Sequence, residues 1–231
     1  MVFMSQKDVG SHEAARRRQI VSDRIEKVAA ACKGQPAFSK EQAADFLTSN
    51  SLATALFSKA PIEFLESRTV EDLVEIASHT ALTLGEFQRS QGLLVRGVER
   101  SAGVYGLAVV MDDCPFIVNT IGELLAELRA KVTVFLHPIV TAANHRISVS
   151  YLECKVVQGT ELGALEAQIS AALTALGFIT TDYDKMTGST SELAGRIATP
   201  SSSAQSEGTE SAAFLRWLSD GGLVFLGQSS W

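Results

Sequence analysis

Val104-Tyr105-Gly106-Leu107-Ala108-Val109-Val110-Met111-Asp112-Asp113-Cys114-Pro115-Phe116-Ile117-Val118-Asn119-Thr120-Ile121 is the stretch on which the fold turns. Val104 to Met111 is a compact apolar run of strand length, and the polar Asp112-Asp113 ends it. Pro115 then predicts a helix start, because its missing N–H falls where a helix has no partner for one. Phe116, Ile117, Thr120, Ile121, Leu124, Leu125 and Leu128 follow at helical spacing and make one face toward a sheet. A strand that feeds straight into such a helix is the first half of a βαβ unit.

Working outward, Leu93 to Val98 is a second β-type run, joined to the first by the hairpin-like Glu99-Arg100-Ser101-Ala102-Gly103. Thr133 to Val140 is nearly continuous in apolar residues and predicts a strand covered on both faces. A turn at Ala143-Asn144-His145 leads into Arg146–Val157. There the apolar positions shift from Ile147, Val149 and Tyr151 to Leu152, Cys154 and Val156, which predicts a bulge near Tyr151. Thr160 opens the next helix, with Leu162, Leu165, Ile169, Leu173 and Leu176 on its buried side. Residues 92–177 thus read as ββαββα. The inner βαββα is most of a ferredoxin-like arrangement without its last strand, and the Leu93–Val98 run could extend the sheet beside the first core strand.

The remainder reads as helix. Ile20, Val21, Ile25, Val28, Ala29 and Cys32 share a face until Gly34 and Pro36 stop them. Ser39 with Gln42 has capping-box spacing ahead of Ala43, Phe46 and Leu47. Ala53 to Phe57 continues to Pro61. Thr69 and Asp72 open a longer helix striped by Leu73, Ile76, Ala77, Ala81, Leu84 and Phe87. Past Gly177, Phe178–Met186 could prolong the last helix and Ser191–Ala198 could form another. Thr199–Ser206 has loop composition, Ser211–Asp220 is a helix carrying Trp217 on a core or docking stripe, and Leu223–Leu226 is a strand. That strand either joins the sheet or begins a further domain. The class is α+β, divided into a helical segment at 1–91, a ferredoxin-like domain at 92–180 and a connector at 181–231.

The net charge of −6 argues against a non-specific nucleic-acid binder, and Arg16-Arg17-Arg18 reads as a solvated helix face. Cys32, Cys114 and Cys154 are odd in number and lack CxxC spacing, so they read as free thiols. The polar N-terminus does not form a signal-peptide core, and no run reaches the ~18 apolar residues of a membrane span. A cytoplasmic protein without a membrane or nucleic-acid partner is the expectation.

No GxGxxG follows a strand and no P-loop is present, so no nucleotide fold can be placed. The candidate ligand site is the turn itself. Free N–H groups at the helix start can receive a carboxylate. Asp112 or Asp113 would hold the ammonium that an amino acid also carries. Cys114 and Phe116 belong to the same turn, and Asn119 lies one turn in with Thr120. The plainer alternative has Asp113 capping the helix, Pro115 filling its first turn and Cys114 serving as a small buried hydrophobe. Cys114, His137 and Cys154 lack the spacing of a metal site.

Asp112-Asp113-Cys114-Pro115-Phe116, then His137-Pro138, Leu56-Phe57-Ser58-Lys59-Ala60, Asp182-Tyr183-Asp184-Lys185-Met186, and Ala213-Phe214-Leu215-Arg216-Trp217-Leu218 running into Phe225-Leu226-Gly227 form an ordered set. Over roughly residues 45–231 this set resembles the N-terminal region of the large NAD-dependent glutamate dehydrogenases. The departures are Cys114 where that family has methionine, Tyr183 where it has tryptophan, and Gln228-Ser229-Ser230 where it has a tyrosine-arginine-glutamate run.

The resemblance implies ACT-like, ferredoxin-like domains with helical connectors. It implies a non-catalytic regulatory and assembly segment whose parent oxidises L-glutamate to 2-oxoglutarate and ammonium while reducing NAD. Catalysis and NAD binding would lie in other parts of that enzyme, so the expected cofactor of this chain is none. Its partners would be the dehydrogenase's other domains or subunits, with a homo-oligomer in the full-length form and an amino acid as effector. The alternative is a free-standing ACT-like amino-acid-binding or scaffold protein.

Overall fold

The computed structural model describes residues 6–39, 48–90, 92–142, 145–198 and 205–222. The N-terminal part is helical: α1 (Gln6–Cys32), α2 (Ser49–Phe57), α3 (Ile62–Ser67) and α4 (Val70–Ser90). Then come β1 (Leu94–Ser101), β2 (Val104–Asp112), α5 (Ile117–Glu127), β3 (Lys131–Leu136), β4 (Ile139–Ala142), β5 (His145–Lys155) and α6 (Leu162–Thr180). Last are α7 (Tyr183–Ala198) and α8 (Gln205–Trp217), the latter ending in a π turn over Leu218–Gly222. The fold is α+β, as its sequence predicts.

The described sheet is antiparallel throughout, in the order β1-β2-β5-β3, with β4 pairing the other end of β5. β1 and β2 form the expected hairpin, turning at Ala102-Gly103, where Gly103 takes φ +72°. That left-handed geometry costs a glycine little. β1 therefore lies beside the first core strand, where the Leu93–Val98 run was expected to have room. β2 and β5 run in unbroken register from Val104↔Lys155 to Asp112↔Ile147.

The bulge expected near Tyr151 is absent from that register. The apolar phase of β5 shifts because both faces of the strand are covered: every residue from Ile147 to Cys154 is buried. The register breaks fall instead at Glu99/Ser101 in β1 and at Val132/Val134 in β3. The run Thr133–Val140, expected to be covered on both faces, is an edge. His137-Pro138 divides it into β3 and β4, and Thr133 and Ile139 are exposed. Proline has no N–H for a ladder and so belongs at an edge.

Chain contacts divide the protein into Met1–Leu173 and Thr174–Trp231. In the first unit the helical lead-in and the sheet share a core, because α4 lays its striped face on β2, β1 and β5. Val28, Cys32, Leu52, Phe57, Leu73 and Ile76 join Val134, Leu136 and Tyr151 in one cluster. Reciprocal bonds between Thr69 and Asp72 open α4 as their spacing predicts, each side chain accepting from the other's backbone N–H at 3.1 Å. In the second unit α7 packs on α8, and α8 begins at Gln205, ahead of the predicted Ser211. The Ser39 capping box lies at the edge of a stretch, 40–47, that falls outside the described residues. So do the loop at 199–204 and the strand at Leu223–Leu226.

By length and composition alone, the helical run Leu162–Ala198 is apolar enough to cross a membrane, contrary to the expectation that no run would be. Leu165, Ile169, Leu173 and Leu176 are nonetheless buried at the three- and four-residue spacing of a core helix, and Tyr183 opens a separate helix.

Gly106 has a packing role as well as a local one. A Cβ there would lie 2.6 Å from the Tyr151 hydroxyl and 3.2 Å from Arg100 Cγ. The Gly106→Ala variant is expected to lose about 1–3 kcal/mol of stability, the usual cost of overpacking, measured as a lower urea midpoint at unchanged m-value. An unchanged midpoint would show that the space is open.

Candidate functional site

The turn after β2 is built differently from its sequence reading. Helix α5 starts at Ile117, not at Pro115, and its N-cap is Phe116 in the left-handed region at φ 73° with no side-chain cap bond. Asp113 does not cap. Its carboxylate accepts from Arg146 Nε at 2.8 Å and Nη2 at 2.7 Å, while its N–H donates to the Arg146 carbonyl at 2.9 Å. Asp112 Oδ1 lies 2.9 Å from His145 Nε2. The adjacent aspartates thus clamp the end of β2 to the start of β5. Cys114 and Phe116 are half-buried, and Asn119 is exposed on the first turn of α5.

The five expected ligand residues lie along this turn and the first turn of α5, with both carboxylates engaged. A ligand ammonium would have to displace Arg146 or His145. A ligand carboxylate at the start of α5 would face two like charges. The geometry suits a strand clamp.

A second cluster was not anticipated. Glu153 sits in the middle of the sheet at 1% exposure. Its Oε1 accepts from the Tyr151 hydroxyl at 2.9 Å, and its Oε2 accepts from Arg68 Nη2. Arg100 Nε is 4.0 Å from Oε1 and reaches outward to Glu75 at 2.6 Å. Burial first, then the Glu153 carboxylate, pushes the Tyr151 phenol far above its ordinary pKa, so it stays a donor. Arg68 also lies 5.3 Å over the Phe64 ring, which gives its guanidinium an apolar support. The signal was present in sequence: a lone glutamate inside the apolar run Tyr151-Leu152-Glu153-Cys154 must find a cation or a proton.

The third place is the break between β3 and β4. His137 Nδ1 lies 2.7 Å from Ser150 Oγ and 3.4 Å from Ser148 Oγ. Ser150 is fully buried, and His137 is its side chain's only partner among the described residues, the direction of the bond being set by the imidazole tautomer. A serine–histidine pair at this distance resembles a nucleophile and its base. With Ser150 at 0% exposure, no substrate carbon can reach the oxygen, and the pair is structural. His137, read from sequence as a satisfied half-buried histidine, is one.

Beside this break is a cavity of about 380 Å³ bordered by Ala55, Leu56, Lys59, Phe135, Leu136 and Ile139 among others. The segments Leu56–Ala60 and His137-Pro138, which carry part of the family resemblance, meet at its wall. Among the described residues no group of three histidine, cysteine or acidic side chains has metal-site geometry. Cys32 and Cys154 are buried, and burial pushes each thiol up to about 11, so neither is a thiolate at neutral pH. Neither a known protein family nor a curated protein matches the chain.

Two measurements follow from these clusters. Glu153→Ala is expected to cost about 3–5 kcal/mol because it leaves the Arg68 guanidinium and the buried Tyr151 hydroxyl without their acceptor. Tyr151→Phe should cost about 1–3 kcal/mol, and a double-mutant cycle should show strong coupling between the two sites. Additive costs would mean that the hydroxyl and carboxylate act separately.

Burial holds His79 and His137 below their ordinary pKa of 6.5, against the opposing field of Asp113 at His137. The unfolded chain therefore takes up these protons first as pH falls. Their contribution is full above 6.5 and is lost as pH drops below it toward the folded-state values. Urea midpoints should fall between pH 7.5 and pH 5, with a shallower fall in His137→Gln and His79→Gln; equal slopes in all three proteins would refute the assignment.

Proposed function

We propose that this chain is a non-catalytic, ACT-like regulatory and assembly segment of a large NAD-dependent glutamate dehydrogenase. The observation that carries the reading is the strand order. In a ferredoxin-like domain the last strand lies at the sheet edge beside the first core strand, antiparallel to it. Here β1 pairs antiparallel with β2 at that edge, with α5 and α6 in the same stretch, which supports a ferredoxin-like arrangement that takes its last strand from the N-terminal side. The ordered motifs support the parentage, and two of them share a cavity wall.

The work of such a segment is to bury surface and to hold neighbouring domains or subunits in place. Within Thr174–Trp231, Phe214 and Trp217 stack with ring centroids 5.9 Å apart while remaining 56% and 53% exposed. Phe178 is 80% exposed. Uncovered aromatic surface of this kind favours a partner domain. No step of the parent reaction, oxidation of L-glutamate to 2-oxoglutarate and ammonium with reduction of NAD, is assigned to these residues.

The test is an antibody against this chain, used on extract of the source cells. A product much longer than 231 residues, whose immunoprecipitate reduces NAD when given L-glutamate, is the expected result. A product no longer than the chain, with no glutamate-linked NAD reduction, would overturn the proposal in favour of a free-standing protein.

A further inference from the structure

The two edges of the sheet are treated differently. At the β1 edge, side chains reach the Arg96–Gly97 peptide: the Gly97 N–H donates to Glu166 Oε1, and His79 Nε2 lies 2.9 Å from the Arg96 carbonyl. At the β3–β4 edge no described side chain or strand takes the outward backbone groups, and all pairing is inward to β5. An edge left open in this way presents a row of donors and acceptors to another extended chain.

The open edge has marked limits and a marked charge. The register break at Val132/Val134 closes one end and Pro138 interrupts the other, which leaves Val134–Leu136 with Ile139–Ala142 beyond. That length suits one short added strand and not an open-ended stack. The cavity of about 380 Å³, with a wall of mixed apolar and polar groups, opens beside Phe135, Leu136 and Ile139, where an added strand would place a side chain. Arg129, Lys131 and Lys155 are exposed around the Val132 end, and Lys59 borders the cavity. Among the described residues none of these four cations makes an ion pair, although the chain as a whole carries −6. Lys131 and Lys155 stand directly opposite each other in register, an arrangement that repels unless an anion intervenes.

We infer that the β3–β4 edge receives an extended segment of a partner protein by strand addition, a segment apolar at its centre and acidic at its ends. Main-chain bonds to β3 supply affinity, the cavity takes one central side chain, and the lysines and arginine read the acidic ends. This goes beyond the assembly role proposed above and does not depend on the parentage.

The probe is a fluorescein-labelled nonapeptide, Asp-Asp-Val-Thr-Val-Thr-Val-Asp-Asp, titrated against the whole chain by fluorescence anisotropy. Three further titrations use the same peptide N-methylated at alternate residues, the peptide with lysine for each aspartate, and a Lys131→Glu/Lys155→Glu chain. Both substituted lysines are exposed, so the variant's circular dichroism should match the parent's.

The expected result is saturable binding that weakens with salt, falls about tenfold or more with the charge-reversed chain, and vanishes for the N-methylated and lysine peptides. No binding at about 1 mM peptide, or equal binding of the acidic and lysine peptides, would overturn the inference. Sedimentation of the chain alone supplies the remaining outcome. A dimer abolished by the double lysine variant would assign the edge to a second copy of the chain and overturn it too.

Discussion

A carboxylate buried in the centre of the sheet governs how the first unit is put together. Glu153 sits where an uncompensated charge would cost several kcal/mol, and three side chains from separate places in the chain meet that cost. Tyr151 comes from its own strand, Arg100 from the end of β1, and Arg68 from the link between α3 and α4. Arg100 continues outward to Glu75 on α4. The network therefore ties the helical lead-in to the sheet at one defined angle. Apolar contact between α4 and the sheet supplies most of the burial but little direction; the charged pairs supply the direction.

Gly106 is a consequence of the same network. The residue opposite Glu153 on β2 must leave room for the Tyr151 hydroxyl and the Arg100 stem, and only a residue without a Cβ does so. Read in isolation, a glycine inside an apolar strand looks like a weak point. In place, it is what lets the phenol reach the carboxylate. The turn at Asp112–Phe116 shows a related economy: two adjacent acids, each bonded across to the start of β5, hold the strand ends together while Phe116 carries the strained backbone that starts α5.

Asymmetry between the sheet edges is the other organising fact. A glutamate and a histidine from the covering helices both bond to the Arg96–Gly97 peptide of β1. The β3–β4 edge is bounded by a bulge and a proline and has cations near it, and among the described residues no side chain or strand occupies its outward groups.

Local signals in the sequence determined the elements. The Val104–Met111 run, the Thr69–Asp72 cap and the stripe from Leu73 to Phe87 each depend on neighbours within a turn or two, and each appears where it was read. The candidate turn was legible as the link from β2 to α5. Partner choice was not legible, because Arg146 and His145 lie far along the chain and reach the aspartates only once β2 and β5 pair. The same holds for Thr133–Val140, whose apolar run looks like a central strand but lies at an edge, and for β5, whose phase shift records cover on both faces and no bulge. Hydrophobic periodicity reports which residues leave water. Only the tertiary structure decides against what they are buried and which edge remains open, because strand order and charge pairing are made by contacts that no local window contains.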